Sequence, residues 1–418
     1  MQQSSWRWVP SLYFAEGLPY AIIISVSIVM YKNLGVSNAD IALYTSWFYL
    51  PWGIKPLWSP FVDLCKTKRW WIIIMQTVMS IGFAAVAFLI PTSFFFQATI
   101  AVLWLMAFAS ATHDIAADGF YMLAQDEQQQ SFFVGVRNIF YRVAMIVGQG
   151  FMVMMAGVLS RINGSMAVAW SLIFVAISLL FVLLVVYHKL QLPRAESDTE
   201  KESGSTRDIF VSFFRKPNIL PAIAFILLYR LGEAQLTKMS APFLLDDISK
   251  GGLAMNNEQV GAIYGTFGVL ALLAGGLVGG IAAAKNGLKR WLWPMIMAMN
   301  LPNIVYVALA WIQTSNFFVV SSAVVLEQFG YGFGFTAFTL FIIQFSQGEY
   351  KTAHYALCTG LMALGMMLPG MISGFVQEAL GYSSFFLYVL LCCIPGIVCA
   401  AFIKIRDERD DRIVKSDS

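Results

Sequence analysis

Apolar runs of about twenty residues, parted by short polar loops, recur along the whole chain, and they leave few folds open to it. A helix that crosses a bilayer needs about 20 mostly apolar residues. Twelve stretches meet that length: 8–32, 38–60, 70–90, 95–118, 131–158, 165–188, 217–245, 257–284, 290–312, 317–343, 350–378 and 382–404. A β-barrel would show short alternating segments instead, and none alternates here. Only 12% of the residues are charged and 58% are hydrophobic, where soluble domains carry about 25% charge. The expectation is an all-α membrane protein with twelve transmembrane helices. The first run opens close to Met1 without a small-residue cleavage site, so it reads as a retained helix and not as a signal peptide.

The loops carry the orientation. Nineteen Lys and Arg fall on one side of the twelve runs, in the loops around Arg7, Lys66–Arg69, Lys189–Lys216, Lys285–Arg290 and Lys351 and in the tail after Lys404; three (Lys32, Arg161 and Lys250) fall on the other. By the positive-inside rule the rich side, with both termini, is cytoplasmic. An odd number of crossings would scramble that bias. The net charge of +3 is too small to suggest a nucleic-acid partner, and the five cysteines suit neither a disulfide framework nor a zinc site.

The longest polar interruption, around residues 188–217, divides the runs six and six. It is rich in serine and charge and reads as flexible. The expected organisation is a bundle over 1–188, a cytoplasmic linker over 189–216, a second bundle over 217–405 and a charged tail over 406–418. The halves echo each other: DLCKTKRW (63–70) and AKNGLKRW (284–291) stand at corresponding loops, and LYFAEGL (12–18) resembles LYRLGEAQL (228–236). Such a pattern points to an internal duplication of the kind two-half transporters show.

Charges inside the runs are the candidates for function, because a charge at the bilayer centre costs roughly 2.5–3.5 kcal/mol or more. At 1.5 Å per residue, Glu16 lies about 12 Å into the first run and Glu327 about 15 Å into the tenth. Arg230 and Glu233 sit slightly past the middle of the seventh, with Lys238 beyond them. Lys55, Asp114, Asp118, Arg137 and Arg142 lie nearer the basic side. Asp114 and Asp118 share one helix face at i,i+4, and Arg230 can touch Glu233 at i,i+3. In antiparallel fourth and fifth helices Asp118 falls level with Arg137, and Asp114 with a partner nearer Arg142. An ion-pair ladder that holds helices together is the plain reading for Asp118 and Arg137. For Asp114 structural and cavity-lining roles stand level, and for Glu16, Arg230 and Glu327 a substrate or ion pathway is favoured. His113 reads first as a hydrogen-bonded packing residue. Tyr13 and Trp52, among the aromatics of the first two runs, are candidates to stack on sugar rings. The glycines of GVLALLAGGLVGG (268–280) read as close helix packing. No nucleophile–base pair, metal cluster, Walker lysine or dinucleotide fingerprint appears, so neither an enzyme, a cofactor nor ATP-driven transport is expected. A carboxylic acid in a partly desolvated cavity can carry a proton instead.

LPWGIKPLWSPFVD (50–63) resembles the second-span signature of AmpG-type muropeptide permeases and the related acetyl-CoA transporters, through Leu50-Pro51, Lys55, Leu57-Trp58, Pro60 and Asp63. SATHDIAAD (110–118) is similar to their fourth-span motif, with His113 where Gln is usual. YFAEGLPY (13–20), residues 227–244 and residues 353–382 resemble the first, seventh and eleventh spans. Gly280, Lys285, Gly287, Lys289 and Arg290 also fit a major facilitator loop pattern, with Ala284 where the acid belongs; Asp63 keeps that acid in the first copy. The resemblance implies the major facilitator fold with two six-helix halves, and proton-coupled import of a peptidoglycan-derived sugar or muropeptide. It carries over Lys55, Asp114, Asp118 and Arg230. The expected substrate-binding set is Lys55, Glu16, Arg230, Glu233, Glu327, Trp52 and Tyr13, in a cavity between the halves. Asp114 and Asp118 would couple protons, and Asp63, Arg137 and Arg142 would form a structural gate. The expected setting is a monomer in a bacterial inner membrane, with a small sugar conjugate, protons and the lipid bilayer as partners. Rival readings are a carrier of another sugar or glycoside, an organic anion or a CoA thioester, and, from another class, a membrane sensor or an enzyme on lipid-linked sugars.

Overall fold

The computed structural model describes residues 5–194, 206–348 and 350–405, and every described element is helical. The expected tail, 406–418, and residues 195–205 of the expected linker lie outside the described residues, as does the side chain of Asp63.

Among the described residues ten helices are long and apolar enough to cross a membrane, and two local features reconcile that number with twelve crossings. The second expected span is a broken rod. Helix Asn38–Ser46 gives way to a tight turn at Trp47–Tyr49, then helix Leu50–Ile54, a second tight turn at Lys55–Leu57 and helix Ser59–Leu64. Pro51, Pro56 and Pro60 each remove a backbone donor from this stretch and prevent a continuous helix. At the other end of the chain, Lys351–Ala400 runs as one helical stretch interrupted at Gly381, whose φ of 72° and ψ of 165° break the helix. Fifty residues of helix would measure about 75 Å, far more than the roughly 30 Å of hydrocarbon. The run is therefore two spans that meet at a residue whose positive φ suits glycine.

The chain folds into two compact units. Unit 1 is Met1–Lys201 with Met255–Thr266, and unit 2 is Glu202–Ala254 with Phe267–Ser418. In unit 1 the first span, Ser5–Asn33, is the most enclosed of the ten. It approaches the fifth so closely that a Cβ on Gly17 would lie 2.8 Å from the Tyr141 carbonyl oxygen. Trp8, Leu12, Ile72, Phe120 and Phe133 form an apolar core at one end. In unit 2 the core gathers Phe225, Tyr229, Met295, Phe338 and Phe341, with Tyr229 stacked on Phe338 at 5.0 Å. The glycine-rich eighth span packs on the tenth as expected: a Cβ on Gly275 would fall 2.0 Å from the Phe329 carbonyl oxygen.

Two features differ from the sequence reading. Residues 206–214 of the expected flexible linker form helix Thr206–Phe214, because the apolar pattern at its end buries Phe213 to 1% exposure. The seventh span, Ile219–Leu245, is also broken: one helix ends at Leu228, another starts at Leu231, and Arg230 stands at the break with φ −104° and ψ 19°.

Candidate functional site

Both units place a cation where a spanning helix breaks, Lys55 in unit 1 and Arg230 in unit 2. Irregular backbone at membrane depth persists only where protein or a wet cavity receives its polar groups, so these breaks mark the polar regions of each unit.

In unit 1 four spans converge. The Lys55 ammonium from the second span donates to Asp114 Oδ2 of the fourth at 2.5 Å. Asp114 therefore pairs with Lys55, not with a partner near Arg142, because the second tight turn of the broken span brings Lys55 to the fourth helix. The Arg142 guanidinium lies 5.9 Å from the Tyr141 ring. One turn away, Asp118 Oδ1 accepts from the Tyr13 hydroxyl at 3.1 Å and pairs with Arg137 Nη1 at 3.1 Å. The Arg137 guanidinium also lies 4.6 Å over the Tyr13 ring and 5.3 Å over that of Tyr121. Tyr13 is thus a structural clamp on the Asp118–Arg137 pair, with its ring face already covered. Trp52 packs edge-on to Tyr20 at 5.1 Å and is only partly buried.

Glu16 of the first span is 8% exposed. Its carboxyl lies within hydrogen-bonding reach of Asp114, and its Oε2 has no partner among the described residues. Two carboxyl groups can share a hydrogen bond only if one of them is protonated. Glu16, Asp114 and Asp118 stand against Lys55 and Arg137, so this cluster becomes neutral when it holds one proton.

His113, beside Asp114, turns the other way. Its Nε2 meets Gln76 Nε2 at 2.9 Å; Gln76 Oε1 meets His188 Nδ1 at 2.9 Å; and His188 Nε2 meets Ser11 Oγ at 2.9 Å. The Gln76 amide fixes both tautomers, since its oxygen only accepts and its nitrogen only donates. His113 and His188 are fully buried in a chain that ties the first, third, fourth and sixth spans together. An amide in the middle of the chain does not relay protons, which makes His113 a packing residue.

In unit 2 the Arg230 guanidinium donates to the Tyr331 hydroxyl. It lies 5.4 Å from the Tyr331 ring and 5.0 Å from that of Phe335. Arg230 acts electrostatically on Glu233, and Glu233 Oε1 accepts from the Thr237 hydroxyl at 2.9 Å. Glu233 also sits in the first turn of its helix, where the helix dipole favours an acid. Glu327, 1% exposed, accepts from the Gln328 side chain at 3.0 Å and from the Tyr306 hydroxyl, and it feels the charge of Glu233. Lys238 is as deeply buried as Glu327. Glu16, Glu233 and Glu327 thus point into their units and not toward lipid. Tyr331, Phe335 and Tyr306 were missed by the sequence reading. A signal was there for two of them: Tyr331 and Phe335 follow Glu327 at i+4 and i+8, on one helix face.

A family model described as Major Facilitator Superfamily matches residues 11–351. The chain is 26% identical over 398 residues to the anhydromuropeptide permease of Escherichia coli strain K12, covering 93% of this chain and 77% of that protein. It is 25% identical over 416 residues to the transporter AmpG 4 of Rickettsia conorii, covering 94% of each. Among solved structures, the nucleoside transporter NupG superposes with a TM-score of 0.72 at 17% identity, over 95% of this chain and 98% of that one. That likeness is one of fold.

Proposed function

The chain belongs to the Major Facilitator Superfamily, a multi-pass membrane transporter and not an enzyme, and we propose that it imports peptidoglycan-derived sugar conjugates of the anhydro-muropeptide kind, coupled to protons. The setting in this reading is a bacterial inner membrane, with both termini cytoplasmic and the monomer as the working unit. The observation that carries the reading is the carboxyl pair Glu16–Asp114 with Lys55 on its other side. It stands on the two motifs, 50–63 and 110–118, through which the chain resembles the muropeptide permeases.

Asp114 is the coupling residue in this reading. When it is ionised, Lys55 is held in an ion pair. A proton taken up between Glu16 and Asp114 weakens that pair and releases the ammonium to a carboxylate of the substrate. Loss of the proton restores the pair and expels the anion. Arg230, steadied by Tyr331 and Phe335, binds a second anionic group, because a stacked guanidinium offers a flat fork that a carboxylate can meet with two hydrogen bonds. Glu233 and Glu327 accept from sugar hydroxyls, and Trp52 offers a partly open ring edge to a sugar. Asp118, Tyr13 and Arg137 keep the first, fourth and fifth spans in register, with Asp118 as a second proton acceptor.

The test is uptake of labelled anhydro-muropeptide into proteoliposomes with an imposed pH gradient. The parent should accumulate label only when the gradient is present. Asp114→Asn should abolish accumulation while retaining exchange of label across the membrane without a gradient. Uptake indifferent to the gradient, or unchanged in Asp114→Asn, overturns the coupling role. Competition by simple sugars, organic anions or CoA thioesters in place of the muropeptide overturns the substrate.

A further inference from the structure

On the basic side of unit 2, a cavity of ≈ 420 Å³ opens beside helix Thr206–Phe214. It belongs to neither polar cluster described above. Its wall includes two ammonium groups, Lys216 and Lys404, together with the Ser212 hydroxyl, the Asn218 and Gln344 amides and the His354 ring. No carboxylate is among the described residues that line it.

Lys216 is held in place by the tenth span. Its Nζ donates to the carbonyl oxygens of Phe345 at 2.7 Å and Gln347 at 2.8 Å, which leaves the third ammonium hydrogen for another acceptor. The cation covers the carbonyl end of a 30-residue helix, where a positive charge is favoured. Burial nonetheless pulls its pKa below the ordinary lysine range, against a weaker opposing effect of the Cys358 thiol. His354 Nε2 lies 3.0 Å from Ser212 Oγ, which fixes that hydroxyl on the wall. Close in sequence to lining residues, Phe214 on the short helix is 58% exposed and Phe402, two residues before Lys404, is 66% exposed. Cationic and hydroxyl groups set beside outward-facing aromatics, at the level where a spanning helix ends, have the chemistry of a lipid headgroup site.

We propose that this cavity binds a phosphate group, that of an anionic phospholipid whose acyl chains lie along the exposed Phe214 and Phe402. Lys216 and Lys404 supply charge-assisted hydrogen bonds to the phosphate oxygens, and the neighbouring hydroxyl and amides complete the ring of donors. Occupancy would fasten helix Thr206–Phe214 to the ends of the seventh and tenth spans.

Lys404 is the residue to change, because it is exposed, whereas Lys216 also holds the tenth span. The full-length protein, stripped of lipid in neutral detergent, is titrated by native mass spectrometry with short-chain phosphatidylglycerol, short-chain phosphatidylcholine and inorganic phosphate. The parent is expected to bind phosphatidylglycerol about five- to tenfold tighter than phosphatidylcholine, the scale of one charge-assisted contact. Lys404→Gln should bring the two lipids close to parity, and Lys404→Glu should invert the preference. The lipid-free melting temperatures of both variants, matched to the parent, confirm that they fold. Inorganic phosphate that binds as tightly as phosphatidylglycerol, and depends on Lys404 in the same way, assigns the site to a free oxyanion. Equal binding of both lipids by the parent, or a preference unmoved by either variant, overturns the proposal; a carboxyl group of the chain itself filling the cavity would give that result.

Discussion

Asp114 and His113 are adjacent in sequence and opposite in chemistry, because one residue of helix turns a side chain by about 100°. Asp114 reaches Lys55 and Glu16, while His113 reaches Gln76 inside the bundle. The two roles make separable predictions. Removing the imidazole strands the Gln76 nitrogen in a dry interior, and an unsatisfied buried donor costs about 1–3 kcal/mol. His113→Ala should therefore lower the denaturation midpoint of the purified protein. His113→Gln, whose amide oxygen can accept the same hydrogen bond, should recover most of the loss. Both variants should keep the parent's dependence of uptake on pH. A changed pH profile in His113→Gln would return this histidine to the proton path. Arg230 shows the same sensitivity to detail: its contacts with Tyr331 and Phe335 depend on the flat guanidinium, which an ammonium does not reproduce.

The helices divide into rods that pack and rods that break. The eighth and tenth spans are joined through glycine: added Cβ atoms on Gly275 and Gly332 would sit 2.0 Å from the carbonyl oxygens of Phe329 and Leu272. Contact of that kind replaces the hydrophobic drive that is missing between helices in lipid. Gly275→Ala must push the pair apart, and overpacking typically costs about 1–3 kcal/mol. Thermal unfolding in detergent should show the loss, whereas Gly280→Ala, with open space around its Cβ position, should leave the midpoint where it was. Equal midpoints for the two variants would mean that the glycines are not the joint. The packing role of this run was legible from its glycine spacing, and the spans were legible from length and hydropathy, since both are set by local composition. The breaks were harder to see. Pro51, Pro56 and Pro60 were in view, but proline is tolerated in spanning helices, so its presence alone did not say that Lys55 would swing to Asp114. The Asp118–Arg137 pair followed from antiparallel neighbours of known rise. The Asp114–Lys55 pair did not, because it depends on a turn that no helical periodicity describes. The break at Arg230 has no proline at all and left no mark.

At the scale of the whole chain, charge asymmetry and energy coupling meet. Counted over the twelve spans expected from the sequence, nineteen basic residues fall on one side and three on the other. Moving one elementary charge across the membrane involves about 2.3 kcal/mol per 100 mV, so Lys and Arg in short loops stay on the side that is electrically negative. The same potential draws protons inward, so in the proposed import cycle the basic face would be the receiving end. In that proposal the cavity of Lys216 and Lys404 lies on the cytoplasmic side and the loop of Arg161 and Asn163 outside. After replacement of the partly exposed Cys65 and Cys399 by serine, which leaves the buried Cys358, Cys392 and Cys393, one accessible cysteine can be introduced at Asn163 or at Ala284, both exposed on loops or helix ends. In intact cells an impermeant maleimide should label Asn163→Cys at once and Ala284→Cys only after permeabilisation. The reverse pattern would put the basic face outside. The proton gradient would then drive the carboxyl pair of Glu16 and Asp114 toward export, and the import reading would fail even with every contact in the two units unchanged.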